Sequence, residues 1–369
     1  MDINTLNDKQ REALLATEGP LLILAGAGSG KTKVVTSKIA YLIEELKVPS
    51  WKILAITFTN KAAKEMKDRV ANLIDRDISS MWIGTFHSIC VRILRKNIES
   101  IGYSSNFTIY DRDDQITVVK EAIAELNLDR DIYKPRAIIN DISNIKSDGL
   151  TPIEYLDLNK DNFYKENLGK IYDIYEKKLR SNNALDFDDL LIKTVNILKS
   201  EDYTRNFYRD KFQYIFVDEY QDTNKIQYEF VKLIAGENPN LTVVGDNDQS
   251  IYKWRGADIN NILNFHKDFP GAKIVKLEQN YRSTQKILDV ANKVIENNDS
   301  RIDKNLWTAR DEGKNVLYKE FPHSNEEEYG VINKIIGLNY KGEEFKNMAI
   351  LYRTNAQSRG FEEALIRER

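Results

Sequence analysis

A glycine-rich segment near the beginning of the chain, Gly-Ala-Gly-Ser-Gly-Lys-Thr at residues 26–32, has the composition of a phosphate-binding loop. An apolar run at residues 21–25 precedes it and a helical pattern follows it, which is the context that such a loop requires. Small residues allow backbone N–H groups to converge on phosphate oxygens at a helix N-terminus. Lys31 is predicted to reach the β- and γ-phosphates, and the Thr32 hydroxyl to ligate Mg²⁺. The segment therefore predicts a nucleoside triphosphate site, although Ala25 stands where the strict pattern has glycine.

Two adjacent carboxylates, Asp218 and Glu219, follow an apolar run at residues 214–217 that is typical of a buried strand. Asp218 is predicted to hold Mg²⁺, and Glu219 to orient or deprotonate an attacking water. The pair is a weak signal alone, because a strand that enters a solvated turn gives the same pattern. Together with the glycine-rich loop, it predicts a nucleoside triphosphatase.

The elements around these residues alternate between strand and helix in the first part of the chain. Helical spacing at residues 32–46 and 61–74 separates apolar runs at 21–25, 53–58 and 81–84, and further runs occur at 214–217 and 241–245. Such alternation favours a parallel sheet with helices on its faces. The predicted fold class is therefore α/β, a phosphate-loop NTPase.

The pattern changes twice along the chain. Residues 107–185 are rich in Asp, Lys, Asn and Tyr with helical spacing, and they predict a helical insertion. After about residue 276, a helical stretch at 284–295 precedes predicted strands at 315–321 and 348–352. We therefore expect a first lobe at 1–106 and 186–276, the insertion at 107–185, and part of a second lobe at 277–369. Residues 361–369 read as a helix without a capping signal, which predicts that the chain is a fragment of a longer protein.

Composition excludes several classes of protein. The 369 residues are 41% hydrophobic and 30% charged, with a net charge of −3 and one cysteine. These values exclude a disordered chain, a collagen-like repeat and a disulfide miniprotein. The sequence lacks the roughly 20 apolar residues of a membrane span and the pattern of a signal peptide, so we expect a soluble, cytoplasmic protein without a membrane partner.

Nine short motifs, in order, resemble those of the UvrD/Rep/PcrA family of superfamily 1A DNA helicases. The most recognisable is Val-Asp-Glu-Tyr-Gln-Asp-Thr-Asn at residues 217–224. The motifs occupy residues 6–13, 25–32, 56–63, 84–88, 186–190, 217–224, 243–257, 280–283 and 351–359. The resemblance covers essentially the whole chain and implies a RecA-like sheet, a helical insertion and the start of a second RecA-like lobe.

The resemblance implies roles at the nucleotide site. Gln249 matches the γ-phosphate sensor, and Arg282 matches an arginine that reaches the γ-phosphate; with Lys31, Asp218 and Glu219 they form the predicted catalytic set. Thr32 and Asp218 are the predicted Mg²⁺ ligands. Gln10 would hydrogen-bond to the adenine edge and favour ATP, and Tyr281 would pack on the adenine. The predicted nucleotide-binding residues are Gln10, Ala27, Gly28, Ser29, Gly30, Lys31, Thr32, Lys33, Tyr281 and Arg282.

The resemblance also implies a sequence-tolerant site for single-stranded DNA, because every base has a face on which an aromatic ring can stack. Phe58, Tyr252 and Trp254 match the family's stacking side chains. Residues that match backbone-contacting or supporting positions are Thr57, Asn60, Thr85, His87, Arg255, Arg353 and Asn355. Without the family, a lone phenylalanine on a strand is more often part of a core.

The function implied is an ATP- and Mg²⁺-dependent DNA helicase that moves 3′ to 5′ on single-stranded DNA and separates duplex at junctions, with repair or replication proteins as accessory partners. Lys33 replaces the usual arginine, Asn247 replaces a common aspartate, and the family's motifs V and VI are absent. We therefore expect this chain to bind nucleotide but to hydrolyse and unwind weakly. The alternatives are the helicase portion of a RecB/AddA-like helicase–nuclease, another phosphate-loop ATPase, and a non-catalytic binding module.

Overall fold

The computed structural model describes residues 3–237, 239–298 and 302–367. The chain divides into two compact units, Met1–Glu312 and Gly313–Arg369. The boundary predicted after residue 276 lies inside the first unit, and the predicted domain limits stay a prediction.

A six-stranded sheet lies in the first unit, with strand order β3-β2-β6-β7-β1-β8, and all its neighbouring strands pair in parallel. A separate parallel pair joins β4 to β5. The strands are β1 (Leu21–Ala25), β2 (Ile53–Thr57), β3 (Trp82–Thr85), β4 (Thr108–Ile109), β5 (Ala184–Leu185), β6 (Tyr214–Val217), β7 (Asn240–Gly245) and β8 (Lys273–Leu277). The predicted α/β class with a parallel sheet is confirmed.

Helices cover both faces of this sheet and build the insertion. Those before the insertion are α1 (Asp8–Leu15), α2 (Lys31–Glu44), α3 (Asn60–Ala71) and α4 (Phe86–Asn97). Within it lie α5 (Arg112–Glu125), α6 (Pro135–Ser147), α7 (Pro152–Leu158) and α8 (Phe163–Ser181). After it come α9 (Phe187–Ser200), α10 (Asp202–Lys211), α11 (Lys225–Ala235), α12 (Asn260–Leu263), α13 (Phe265–Asp268), α14 (Gln285–Ile295), α15 (Ser324–Asn339) and α16 (Ser358–Arg367).

The sheet is buried on both faces, which explains the continuous apolar runs in its strands. All five residues of β1 and of β2 are buried. Because side chains alternate along a strand, Leu22 and Leu24 join one core, with residues of α4, α9 and α11, whereas Leu21 and Ile23 join a second, with residues of α2 and α3.

The helical insertion has its own core, formed by residues of α5, α6 and α8. The β4–β5 pair sets Thr108 opposite Ala184, so the two ends of the insertion meet. The insertion can therefore be added between β3 and β6 without disturbing the parallel sheet.

Two strand predictions in the second unit are wrong, and three strands of the first unit, β4, β5 and β8, were missed. The structure has no strand at residues 315–321 or 348–352, where Leu317 and Leu351 are exposed. A strand is defined by pairing, and these two segments do not pair. Of the missed strands, β4 and β5 have only two residues each, and β8 lies at the edge of the six-stranded sheet, where its half-exposed sequence Lys-Ile-Val-Lys-Leu lacks an apolar run. None of the helices in the described ranges has the length and apolar character that crossing a membrane requires.

Candidate nucleotide site and nucleic-acid interface

Parallel strands end at the same edge of their sheet, so the segments that follow the six strands meet there. The phosphate loop follows β1, Asp218 follows β6, Gln249 follows β7, and Arg282 follows β8. Residues after β2 and β3 lie at the far end of the same edge, because the strand order starts with β3 and β2. The predicted nucleotide residues of the first unit therefore group around β1, and several predicted DNA residues group around β2 and β3.

The backbone of the phosphate loop requires glycine at two positions. Gly28 and Gly30 have φ angles of 71° and 86°. A Cβ atom at Gly28 would lie 2.7 Å from Asn280 Nδ2, and one at Gly30 would lie 2.8 Å from Gln10 Nε2. Helix α2 begins at Lys31, and no side chain caps its N-terminus. The backbone N–H groups at this uncapped helix N-terminus can therefore bind an anion such as phosphate.

Gln10 contacts the loop from α1. Its side chain is 2% exposed, and its Nε2 donates to the Ser29 carbonyl at 2.9 Å. Its Oε1 accepts from the Asn7 N–H at 3.2 Å, which closes a capping box at the start of α1. Ser29 is also buried and donates through Oγ to the Gly26 carbonyl at 2.7 Å. Gln10 is therefore fixed beside the loop. Its role in hydrogen-bonding to adenine stays a prediction.

The predicted catalytic carboxylates lie beside the loop lysine. Lys31 Nζ lies 3.3 Å from Glu219 Oε2, and Glu219 adopts a left-handed backbone with φ 49°. Such a backbone is uncommon for a residue other than glycine and is often found at functional sites. Burial raises the pKa of Asp218 to about 6; the Glu219 carboxylate adds to this rise and the Lys31 ammonium opposes it. A cation at this position would favour the ionised form of Asp218.

Gln221, which sequence reasoning did not select, connects the two carboxylate-bearing turns. It is 1% exposed; its Nε2 donates to Glu219 Oε2 at 2.9 Å, and its Oε1 accepts from the Asp246 N–H at 2.9 Å. The Asp246 carboxylate accepts a hydrogen bond from Gln249 Nε2. The predicted sensor Gln249 is therefore joined to the predicted base Glu219 through two intervening residues, Asp246 and Gln221.

The segment after β8 lies against the phosphate loop. Asn280, another residue not predicted, donates through Nδ2 to the Ala27 carbonyl, and the Tyr281 N–H donates to the Gly28 carbonyl at 2.9 Å. Asn280 Oδ1 accepts from the N–H groups of Arg282 and Ser283 at 2.8 and 2.7 Å. Arg282 is thereby held next to the loop by its backbone.

Two exposed residues line the outer side of this site. The Tyr281 hydroxyl accepts from Asn7 Nδ2 at 2.8 Å, which joins the segment after β8 to α1. Lys33 Nζ donates to the Thr5 carbonyl at 2.9 Å. Thr32 is half-buried in the first turn of α2. The adenine and Mg²⁺ roles of these residues stay predictions.

At the β2–β3 end of the edge, the predicted DNA residues divide into supporting and exposed groups. Thr57 is buried and donates to the Thr59 carbonyl at 3.2 Å, and Thr85 caps α4 by accepting from the Ser88 N–H. Phe58 is half-buried with its ring edge-on to Phe86, at a centroid distance of 5.7 Å. The geometry gives the two threonines local structural roles. Asn60, at the start of α3, is exposed.

His87 lies next to an aromatic ring that sequence reasoning missed. Its ring centroid is 6.0 Å from that of Phe187, which is 50% exposed at the start of α9. Burial lowers the pKa of His87, which favours its neutral form. Phe187 lies within the family motif at residues 186–190, so the motif contained a signal for this ring, but its neighbours Asp186 and Asp189 are buried and only the structure shows that the ring is exposed.

A buried lysine from the insertion holds the start of α9. Lys146 Nζ lies 2.7 Å from Asp186 Oδ2, 3.0 Å from Asp189 Oδ1 and 2.6 Å from Glu176 Oε1. Burial disfavours its charge, but the three carboxylates outweigh this effect and hold the pKa of Lys146 well above its usual value. Phe187 directly follows Asp186, so this cluster positions the exposed ring.

Tyr252 and Trp254 lie on the loop after β7, with ring centroids 6.4 Å apart, and Trp254 is 68% exposed. The side chain of Arg255, between Trp254 and Gly256, lies outside the described part of the structure. Both ends of this loop are hydrogen-bonded to the turn after β6. Ser250 Oγ donates to the Gln221 carbonyl at 3.2 Å, and the Asp258 N–H donates to the Thr223 carbonyl at 3.0 Å. The loop therefore connects the turn that carries Glu219 to exposed aromatic rings.

The remaining predicted DNA residues, Arg353 and Asn355, belong to the second unit. Both are exposed and lie just before α16. The Arg353 N–H donates to Gln357 Oε1 at 2.9 Å.

A glycine-rich loop after the first strand of a parallel sheet, with adjacent acidic residues after a neighbouring strand, defines a phosphate-loop NTPase with a RecA-like fold. Residues 6–270 match the UvrD/REP helicase N-terminal domain, and residues 275–369 match the UvrD-like helicase C-terminal domain. The chain belongs to the UvrD/REP helicase family, which confirms the resemblance seen in its motifs.

Two relatives illustrate the similarity. The ATP-dependent DNA helicases PcrA of Staphylococcus epidermidis (strain ATCC 12228 / FDA PCI 1200) and Staphylococcus aureus (strain NCTC 8325 / PS 47) are each 50% identical to this chain over 365 residues. These alignments cover 99% of this chain and 50% of each relative. The chain thus spans about half the length of the curated relatives it matches.

Proposed function

We propose that this protein is an ATP-dependent DNA helicase of the 3′-to-5′ type, which uses ATP hydrolysis to move along single-stranded DNA and separate duplex at junctions. The observation that carries the proposal is the meeting, at one sheet edge, of a phosphate loop and exposed aromatic rings. The family resemblance extends the proposal to the direction of movement, the preference for junctions, accessory repair or replication proteins, and a cytoplasmic location.

The loop residues fit a nucleoside triphosphate. Gly28 and Gly30 leave no room for a Cβ atom, and the uncapped start of α2 offers backbone N–H groups to an anion. Lys31 would neutralise phosphate charge there and would exchange its contact with Glu219 for one with the γ-phosphate. Gln10 and Tyr281 would bind the base, and Arg282 would reach the γ-phosphate from the segment after β8.

Thr32 and Asp218 fit Mg²⁺, because hydroxyl and carboxylate oxygens are ligands that this ion accepts. The ion would supply neutralisation of charge on the phosphate oxygens. Glu219 would accept a proton from the attacking water, and its hydrogen bond from Gln221 would fix the carboxylate for that role. Burial and the neighbouring Glu219 carboxylate disfavour the ionised form of Asp218, and a bound cation would stabilise that form.

The exposed rings fit single-stranded DNA. Trp254, Tyr252 and Phe187 have exposed aromatic side chains, and an aromatic ring can stack on a base of any sequence. His87 supports Phe187 from α4, and Phe58, directly after β2, packs against Phe86 at the start of α4. The loop that carries Trp254 is hydrogen-bonded at both ends to residues 221–223, so a change at Glu219 or Gln249 has a short covalent and hydrogen-bonded route to the rings.

The test is ATP hydrolysis with and without a single-stranded oligonucleotide. We expect DNA to stimulate hydrolysis in the wild type, Lys31→Ala to lower kcat by about 100- to 1000-fold, and Trp254→Ala to abolish the stimulation. Trp51→Ala is the matched control, because Trp51 is 47% exposed just before β2, at the opposite edge of the sheet. Hydrolysis that is independent of DNA and unaffected by Trp254→Ala would favour a general phosphate-loop ATPase instead.

A further inference from the structure

Lys304, a residue with no predicted role, carries a buried ammonium next to the sensor turn. Its side chain is 2% exposed and pairs with the carboxylates of Asp246 and Asp248, and its Nζ lies 3.5 Å from Asn247 Oδ1. A charge is seldom buried without partners, because removing it from water is costly. The two aspartates lie directly after β7, in the turn that leads to Gln249.

The Asp246 carboxylate is shared between Lys304 and the predicted sensor. Lys304 Nζ donates to Oδ1, and Gln249 Nε2 donates to Oδ2. The Asp246 N–H donates to Gln221, which in turn donates to Glu219. A continuous chain of hydrogen bonds therefore runs from Lys304 to both the predicted sensor and the predicted base.

The segment that carries Lys304 also touches the phosphate loop. A Cβ atom at Gly26 would lie 2.4 Å from Leu306 Cδ2, so Leu306 packs directly on the glycine. The Trp307 carbonyl accepts from the Asn280 N–H at 2.7 Å, and the Asn280 side chain donates to the Ala27 carbonyl. Residues 304–307 thus contact the phosphate loop and the sensor turn, which follow the neighbouring strands β1 and β7.

We propose that Lys304 is a positioning residue for ATP hydrolysis. Its ammonium holds Asp246 so that Gln249 and, through Gln221, Glu219 keep their orientation toward the phosphate loop. Lys304 itself does not touch the nucleotide. This inference rests on the proposed function, and it predicts a defect in turnover rather than in nucleotide binding.

The test compares kcat, KM and nucleotide affinity in Lys304→Met, Lys304→Arg and the double variant Lys304→Met/Asp248→Asn. The double variant removes one positive and one negative charge, so the cluster keeps its net charge. We expect kcat to fall by about 10- to 100-fold in the folded methionine variants, as for other residues that orient a reacting group through a partner. The Kd for Mg-ATP is expected to stay within about twofold, and Lys304→Arg is expected to restore part of the rate because it keeps the charge.

Lys276→Met is the control, because Lys276 Nζ donates to the Asp303 carbonyl from the surface and does not reach the aspartates. A wild-type kcat in a folded methionine variant would overturn the positioning role, as would equal losses in affinity and kcat. Failure of all three Lys304 variants to fold would also overturn it, since Lys304 would then serve folding alone. A wild type that does not hydrolyse ATP would instead overturn the proposed function.

Discussion

At the phosphate loop, the predicted functional side chains are held by hydrogen bonds and ion pairs, whereas at the aromatic surface they are exposed rings supported from below. Gln10, Asp218 and Gln221 are nearly inaccessible, while Trp254 and Phe187 are at least half exposed. Catalysis on a small ligand needs groups whose geometry is fixed before binding. Movement along a polymer needs contacts that form and release repeatedly, so shallow stacking suits it better. The proposed function would use both kinds of site at one edge of one sheet.

The largest expected effect concerns the support beneath the exposed rings. Replacing Lys146 by methionine leaves Asp186, Asp189 and Glu176 buried without their cation. We expect the free energy of unfolding to fall by about 3–5 kcal/mol, measured by urea denaturation. Lys170→Met, which removes an exposed lysine paired with Glu166 on the same insertion, is the control and should change stability by less than about 1 kcal/mol. Equal stability of the two variants would show that the insertion does not depend on the buried cluster.

The next effect separates the two regions. Lys31→Ala removes the ammonium that would neutralise phosphate charge, so we expect kcat for ATP hydrolysis to fall by about 100- to 1000-fold. The Kd for a single-stranded oligonucleotide in the absence of nucleotide should not change, because Lys31 is bound to Glu219 and not to the aromatic surface. Fluorescence anisotropy provides this Kd. A large loss of DNA affinity in this variant would mean that the two regions are one site.

A smaller effect is expected at the exposed rings. Trp254→Ala removes a stacking surface and should weaken binding of single-stranded DNA by about 1–3 kcal/mol, which is about 5- to 150-fold in Kd. Trp51→Ala removes another exposed tryptophan, before β2, and should leave the Kd unchanged. The same anisotropy assay measures both variants. Equal Kd values for Trp254→Ala and the wild type would remove Trp254 from the DNA surface.

The smallest effect concerns the exposed rim of the nucleotide site. Lys33→Arg introduces a planar guanidinium that can stack on adenine, which an ammonium cannot do in the same way. We expect ATP to bind about two- to fivefold more tightly, in line with about 0.5–1 kcal/mol for an exposed cation–π contact. Titration with a fluorescent ATP analogue measures this change. Weaker binding would indicate that the hydrogen bond from Lys33 to the Thr5 carbonyl is the more important contact.

The sequence predicted well what local patterns encode. The apolar runs of β1 and β6 matched the structure residue for residue, because strands buried on both faces leave a continuous signal. The motifs led to the family, and its N- and C-terminal domains both match the chain. The strand β8 was missed because an edge strand is half exposed and loses that signal.

Contacts between residues that are far apart in the chain could not be predicted from sequence patterns. Lys146 pairs with Asp186 across 40 residues, and Lys304 pairs with Asp246 across 58. Lysine is a residue type that is mostly exposed, so only the fold shows that these two are buried. The predicted strands of the second unit failed for a related reason, since strand formation depends on a partner that an isolated pattern does not specify.

We propose that the phosphate loop and the exposed aromatic surface are coupled through residues 246–258. The most direct measurement is the Kd of a non-hydrolysable ATP analogue with and without saturating single-stranded oligonucleotide, together with the Kd of the oligonucleotide with and without the analogue. We predict that each ligand changes the affinity of the other by the same factor, at least about fivefold, because binding linkage is reciprocal. Two affinities that do not depend on each other would contradict the claim.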